Sequence, residues 1–165
     1  MTQTEPNTIS AAEEAALANV TFADFALHPS IQKAIDEQGY TQPTPIQAKA
    51  IPVVLTGIDV MGAAQTGTGK TAGFSLPILN RLMPLATENT SPARHPVRAL
   101  ILTPTRELAD QVAANVFTYA KHTPLRSTVV YGGVDINPQI QALRRGVELV
   151  IATPGRLLDH VQQKS

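Results

Sequence analysis

The chain has 165 residues, 43% of them hydrophobic and 16% charged, with thirteen bases balancing thirteen acids. That length suits one domain with a sizeable core, and no apolar run reaches about 18 residues, so no membrane-spanning helix and no membrane partner are expected. The lack of cysteine excludes disulfides and thiolate metal sites and fits a cytoplasmic location, and His28, His95, His122 and His160 show no metal-ligand spacing.

The opening MTQTEPNTIS has neither a basic patch nor an apolar core, so a secretion signal is not expected. Residues 1–20 read as a flexible tail. Ser10 and Glu13 form a capping-box start to an alanine-rich helix, but that helix has few large apolar residues to bury. Residues 1–40 carry six acids against Lys33 alone, whereas residues 41–165 carry twelve bases against seven acids. A mildly basic body is compatible with binding a polyanion, and equally with an ordinary mixed surface.

Ordered structure is expected from Phe22. Pro29 to Gln38 has helical spacing, with Ile31, Ala34 and Ile35 on one face and Gly39 as the stop. Thr44 and Pro45 cap and start a second helix running to about Leu55, bent at Pro52. IDVMGA (58–63) reads as a strand entering a glycine loop, and Lys70 to Met83 as the next helix, kinked at Pro77. A polar, proline-rich surface loop follows. VRALILT, RSTVVYGG and VELVIAT are three more strands, each followed by a helix: Arg106 to Lys121, Pro138 to Arg145 and Pro154 to Gln163. Such alternation predicts parallel crossover units, an α/β domain with helices on both faces of the sheet.

The stretch AAQTGTGKT (63–71) lies between a predicted strand and a helix, the setting a phosphate loop requires. Gly67 and Gly69 let backbone N–H groups turn toward an anion, and the following helix adds the positive end of its dipole. Lys70 is placed to reach the β- and γ-phosphates, and the Thr71 hydroxyl to ligate Mg²⁺. The general pattern has glycine where this chain has Ala64.

Two further features bear on what the nucleotide serves. VRALILT and VELVIAT both run into Thr-Pro, at Thr103-Pro104 and Thr153-Pro154, each followed by an arginine at a helix start, Arg106 and Arg156. Parallel strands bring these ends to one sheet edge. A row of helix N-termini there suits a nucleic-acid backbone; simple helix caps with solvated arginines account for the residues equally well. Upstream, GYTQPTPIQ (39–47) and Phe22 offer an amide that can bond adenine through donor and acceptor at once and a ring that can stack on it. By chemistry alone, a helix cap and a core phenylalanine are the simpler reading of the same residues.

Taken together, these stretches resemble the N-terminal RecA-like domain of DEAD-box RNA helicases of bacterial type, over about residues 20–165. Phe22 with GYTQPTPIQ is similar to the family's Q motif, AQTGTGKT (64–71) to motif I, which also explains Ala64, PTRELA (104–109) to motif Ia, YGG (131–133) to the glycine doublet and TPGR (153–156) to motif Ib. The resemblance implies a RecA-like phosphate-loop fold and an ATP-dependent helicase acting on single-stranded or structured RNA, with ATP and Mg²⁺ as cofactors. It assigns the nucleotide to Phe22, Tyr40, Gln42, Gln47, Ala64, Gln65, Thr66, Gly67, Thr68, Gly69, Lys70 and Thr71. Lys70 and Thr71 take the catalytic roles, and Thr71 the metal. It assigns RNA backbone to Pro104, Thr105, Arg106, Glu107, Gly132, Gly133, Thr153, Pro154, Gly155 and Arg156. The family's Asp-Glu-Ala-Asp strand end and second RecA-like domain do not occur before Ser165, so residues 21–165 are expected to form part of that domain and to be inactive alone. A non-catalytic adenine-nucleotide module or a small phosphate-loop kinase shares the loop; the kinase would need an arginine-bearing lid, and the 85–96 loop holds only Arg94.

Overall fold

The computed structural model of the chain describes residues 10–62 and 69–165. Its first helix, α1 (Ala11–Leu17), starts where the Ser10 hydroxyl and the Glu13 carboxylate cap one another reciprocally, and it buries none of its residues. A 3-10 turn at Phe22–Phe25 precedes α2 (Pro29–Glu37) and α3 (Pro45–Leu55). Both helices have proline in the first turn, where the missing N–H costs no hydrogen bond. Helices α4 (Lys70–Leu82) and α5 (Arg106–Ala120) follow, then α6 (Asn137–Arg144) and α7 (Pro154–Gln163).

Three strands, β1 (Ala99–Leu102), β2 (Ser127–Val130) and β3 (Leu149–Ala152), form a parallel sheet in the order β1-β3-β2. Leu102 and Val130 both pair in register with Ala152, so the three strands end level. One face packs Ile101, Leu149 and Ile151 against Leu76 and Leu79 of α4 and Val112 and Val116 of α5. The other buries Val130, Val150 and Ala152 beneath Leu143 of α6 and Leu157 of α7. The two-faced α/β architecture expected from the alternation of elements is therefore present.

The strand expected at 58–63 does not form over its described part, residues 58–62. A strand needs a ladder partner for its N–H and C=O groups. Among the described residues β1 pairs only with β3, and Ile58, Val60 and Met61 are 63%, 44% and 101% exposed.

At the N-terminal ends of the strands, the polar loop after α4 is anchored by a buried His–Glu hydrogen bond. His95, in this loop, bonds through Nδ1 to Glu148 at the entry to β3, and both side chains are almost fully excluded from solvent. The second Glu148 oxygen accepts the Arg126 N–H at 2.7 Å. Gly146 (φ +88°) packs here so closely that a Cβ would lie 2.8 Å from the Pro92 carbonyl oxygen. Binding the loop this way ties the entries of all three strands together, since Glu148 O also accepts from the Arg98 and Ala99 N–H groups.

Candidate functional site

Gly69 is the N-cap of α4, with φ +81° in the left-handed region. Lys70 and Thr71 occupy the first turn of that helix, whose N–H groups point outward along the axis. Ala64, Gln65, Thr66, Gly67 and Thr68 lie outside the described residues. The helix start opens into a cleft of about 760 Å³ between α3 and α4 on one side and β1 and α5 on the other. Tyr40, Gln47, Gly69, Lys70 and Thr71 all line it. Its far wall is one face of α5, with Leu108, Gln111, Val112, Asn115 and Tyr119 at helical spacing. Gln111 and Asn115 carry no sequence signal of a site, and Tyr119 reads from sequence as one of the apolar residues of its helix. Their i, i+4, i+8 spacing was visible, but nothing local tells which face of a helix meets a cleft. Burial, and secondarily the neighbouring Tyr40, hold the Tyr119 hydroxyl above the usual tyrosine range. Among the described residues lining the cleft there is no carboxylate.

Gln47 is 7% exposed and its amide is used at both ends. Its oxygen accepts the Thr44 N–H at 2.9 Å, part of the cap of α3, and its nitrogen donates to the Gly69 carbonyl at 3.1 Å. It therefore couples the start of α3 to the start of α4 along one wall of the cleft. A Cβ on Gly69 would fall 2.2 Å from the Gln47 nitrogen, so the contact depends on glycine twice over, for φ and for space. Phe22 is buried at 2% and does not line the cleft. Its ring centroid lies 5.8 Å from Phe25, edge-on, and 6.4 Å from Tyr40. Tyr40, 45% exposed, presents an aromatic surface to the cleft, with Phe22 behind it. Gln42 points elsewhere, donating to the Ala18 carbonyl at the end of α1 at 3.5 Å.

The level strand ends carry the remaining site residues to one edge. Thr103 and Thr153 continue the ladder for one further bond each, to the carbonyls of Ala152 (2.9 Å) and Val130 (3.1 Å). Thr105 caps α5 by accepting the Leu108 N–H at 3.2 Å, and Thr153 stands at the N-cap of α7. Pro104, Thr105, Arg106, Glu107, Gly132, Gly133, Pro154 and Gly155 are all exposed on this edge. The Arg106 guanidinium lies 5.8 Å over the Tyr131 ring, and a Cβ on Gly133 (φ +80°) would approach it to 3.1 Å. Tyr131 donates to Asp110 at 3.4 Å, and this bond is the main cause of its raised pKa. Arg156 is placed differently from the solvated arginine that its sequence context suggests. Its side chain is only 12% exposed, and it donates to the Val134 carbonyl (3.0 Å) and to the Gln139 side-chain oxygen (3.3 Å).

A family model described as DEAD/DEAH box helicase matches residues 44–165. The DEAD-box ATP-dependent RNA helicase RhpA of Helicobacter pylori (strain ATCC 700392 / 26695) is 46% identical over 144 residues, covering 87% of this chain and 27% of that protein. The ATP-dependent RNA helicase RhlB of Xanthomonas oryzae pv. oryzae is 47% identical over 147 residues, covering 89% and 25%. The crystal structure of a DEAD box protein from the hyperthermophile Methanococcus jannaschii superposes with a TM-score of 0.75 at 39% identity, over 87% of this chain and 37% of that one. The chain thus spans about a quarter of the length of these curated relatives. Its phosphate-loop helix, its level strand ends and this match over most of its length place the chain in the DEAD/DEAH box helicase family.

Proposed function

We propose that the chain is the nucleotide-binding part of an ATP-dependent RNA helicase, with ATP in the cleft between α4 and α5 and RNA backbone along the adjoining strand-end edge. The observation that carries this reading is the meeting of three groups at one cleft: the α4 N-terminus with Lys70 and Thr71, the Gln47 amide, and the Tyr40 ring. The residues fit a magnesium nucleotide. The 13-residue helix would aim its N–H groups at the phosphates, Lys70 would supply a cation beside them, and the Thr71 hydroxyl would hold the metal. Mg²⁺ would supply neutralisation of phosphate charge there. With no carboxylate lining the cleft among the described residues, we expect this chain to bind ATP without turning it over. Residues 21–165 act as part of the N-terminal RecA-like domain, working in the cytoplasm opposite a second such domain.

Backbone groups and few cations face the proposed RNA, so binding is indifferent to base sequence and has a shallow salt dependence, with a log–log slope of roughly 0.7 per neutralised phosphate. The test is calorimetric titration with ADP and GDP, followed by fluorescence anisotropy of single-stranded RNA at two salt concentrations. Tighter binding of ADP than GDP, together with weak, salt-sensitive RNA binding, is the expected result. Equal affinity for the two nucleotides would overturn the adenine assignment. Base-selective RNA binding would overturn the backbone assignment.

A further inference from the structure

Three buried or half-buried polar side chains behind the exposed Gly132-Gly133 pair, Gln139, Arg156 and His160, share one hydrogen-bond network. Gln139, in the first turn of α6, and His160, in α7, are 8% and 4% exposed. The Gln139 nitrogen donates to the Tyr131 carbonyl at 3.0 Å, and its oxygen accepts from Arg156 at 3.3 Å. Arginine has only donors, so the amide oxygen must face it. The same oxygen lies 3.1 Å from His160 Nε2, which must therefore carry the proton, while Nδ1 lies 3.0 Å from the Ser165 hydroxyl. His160 and Arg156 thereby fix which way the amide points, and its N–H is aimed at Tyr131. Burial, with the Arg156 charge adding to it, keeps the His160 pKa below the usual value and favours the neutral ring this arrangement uses.

Arg156 completes the arrangement by donating to the Val134 carbonyl at 3.0 Å. The carbonyls on either side of the glycine doublet are thus each held by a side chain from a different helix. Two exposed glycines in sequence have the widest backbone freedom of any residues, and one of them sits at φ +80°. Held in place, Gly133 lies under the Arg106 guanidinium.

We propose that Gln139 is a positioning residue for RNA binding: with Arg156 and His160 it holds the Gly132-Gly133 backbone in the one conformation that meets the RNA backbone and seats Arg106. Arg156 then acts through the loop rather than as a phosphate contact. This inference rests on the RNA assignment above, and its two measurements separate the failure of one from the failure of the other.

The first measurement needs no RNA: hydrogen exchange and NMR chemical shifts of the Gly132 and Gly133 amides in wild type, Gln139→Leu and Gln139→Glu. Gln139→Leu keeps the volume and removes every bond; Gln139→Glu keeps the acceptor for Arg156 and His160 and removes the donor to Tyr131. Both should shift these two amides and speed their exchange, while ADP affinity stays at the wild-type value. Unchanged glycine amides in both variants would overturn the proposal whether or not RNA binds. The second measurement is RNA affinity against salt. Loosening the loop predicts about a tenfold weaker affinity for Gln139→Leu and Arg156→Ala, with the wild-type salt slope retained. Arg106→Ala should instead lower the slope by about 0.7. A fall in slope for Arg156→Ala would make it a phosphate contact and overturn its assigned role, and wild-type chain that binds no RNA would refute the proposed function alone.

Discussion

Under the proposed function, Gln47 couples folding stability to nucleotide choice. Replacing it with alanine removes two hydrogen bonds from a site 7% exposed, to the Thr44 N–H and to the Gly69 carbonyl. At about 0.5–1.5 kcal/mol each, the loss is about 1–3 kcal/mol. Gln47→Glu keeps the acceptor for Thr44 but sets a carboxylate oxygen against the Gly69 carbonyl, so it should cost at least as much as alanine. Gly69→Ala attacks the same contact from the other side, adding about 1–2 kcal/mol of left-handed strain to a clash at 2.2 Å. Each end of the amide makes one bond and keeps one N–H and one lone pair, so under the proposed function the protein bonds orient the amide and adenine would take the groups they leave. Losing the amide should then remove most of the preference for ADP over GDP. Urea unfolding gives the stability change as a shift in midpoint at constant slope, and calorimetry gives the preference. An unfolding free energy within about 0.5 kcal/mol of wild type for Gln47→Ala, with the ADP preference intact, would refute the coupling.

Lys70→Ala should weaken ADP binding by at least about tenfold, the loss of a charge-assisted bond to phosphate; undiminished affinity by calorimetry would remove Lys70 from the site. Glu148→Leu strands the buried His95 ring and the Arg126 N–H. It should cost about 3–5 kcal/mol in urea unfolding, partly recovered when His95→Phe is added; a loss below about 1 kcal/mol would show that the pair does not anchor the loop. Glu37, bonded by Lys121 and then His122, has its pKa lowered from 4.5 to about 2. A depressed folded-state pKa contributes stability above the unfolded value and loses it as pH falls toward 2. Glu37→Gln should therefore make stability less dependent on pH between about pH 5 and about pH 2, and an identical acid limb in the variant would exclude the contribution.

Much of this fold is local and was legible in the residues themselves. Ser10 with Glu13, Pro29, Thr44-Pro45, Thr105 and Thr153-Pro154 each mark a helix start within a residue of the observed one, because caps act through hydrogen bonds spanning three or four residues. The three strands and the phosphate-loop helix were readable for the same reason, through apolar runs and a glycine stop. What tertiary structure alone decided is non-local. The order β1-β3-β2 depends on pairing between residues fifty apart, and residues 58–62, apolar enough to suggest a strand, have no ladder partner. Phe22 and Tyr40 are both aromatic residues beside the Q-like stretch, yet only packing assigns one to the core and the other to the cleft. The same holds for Arg156. Its place at a helix start suggests an exposed cation, but a carbonyl twenty-two residues away and an amide on another helix take its two terminal nitrogens, because a guanidinium removed from water bonds to whatever acceptors the fold brings near.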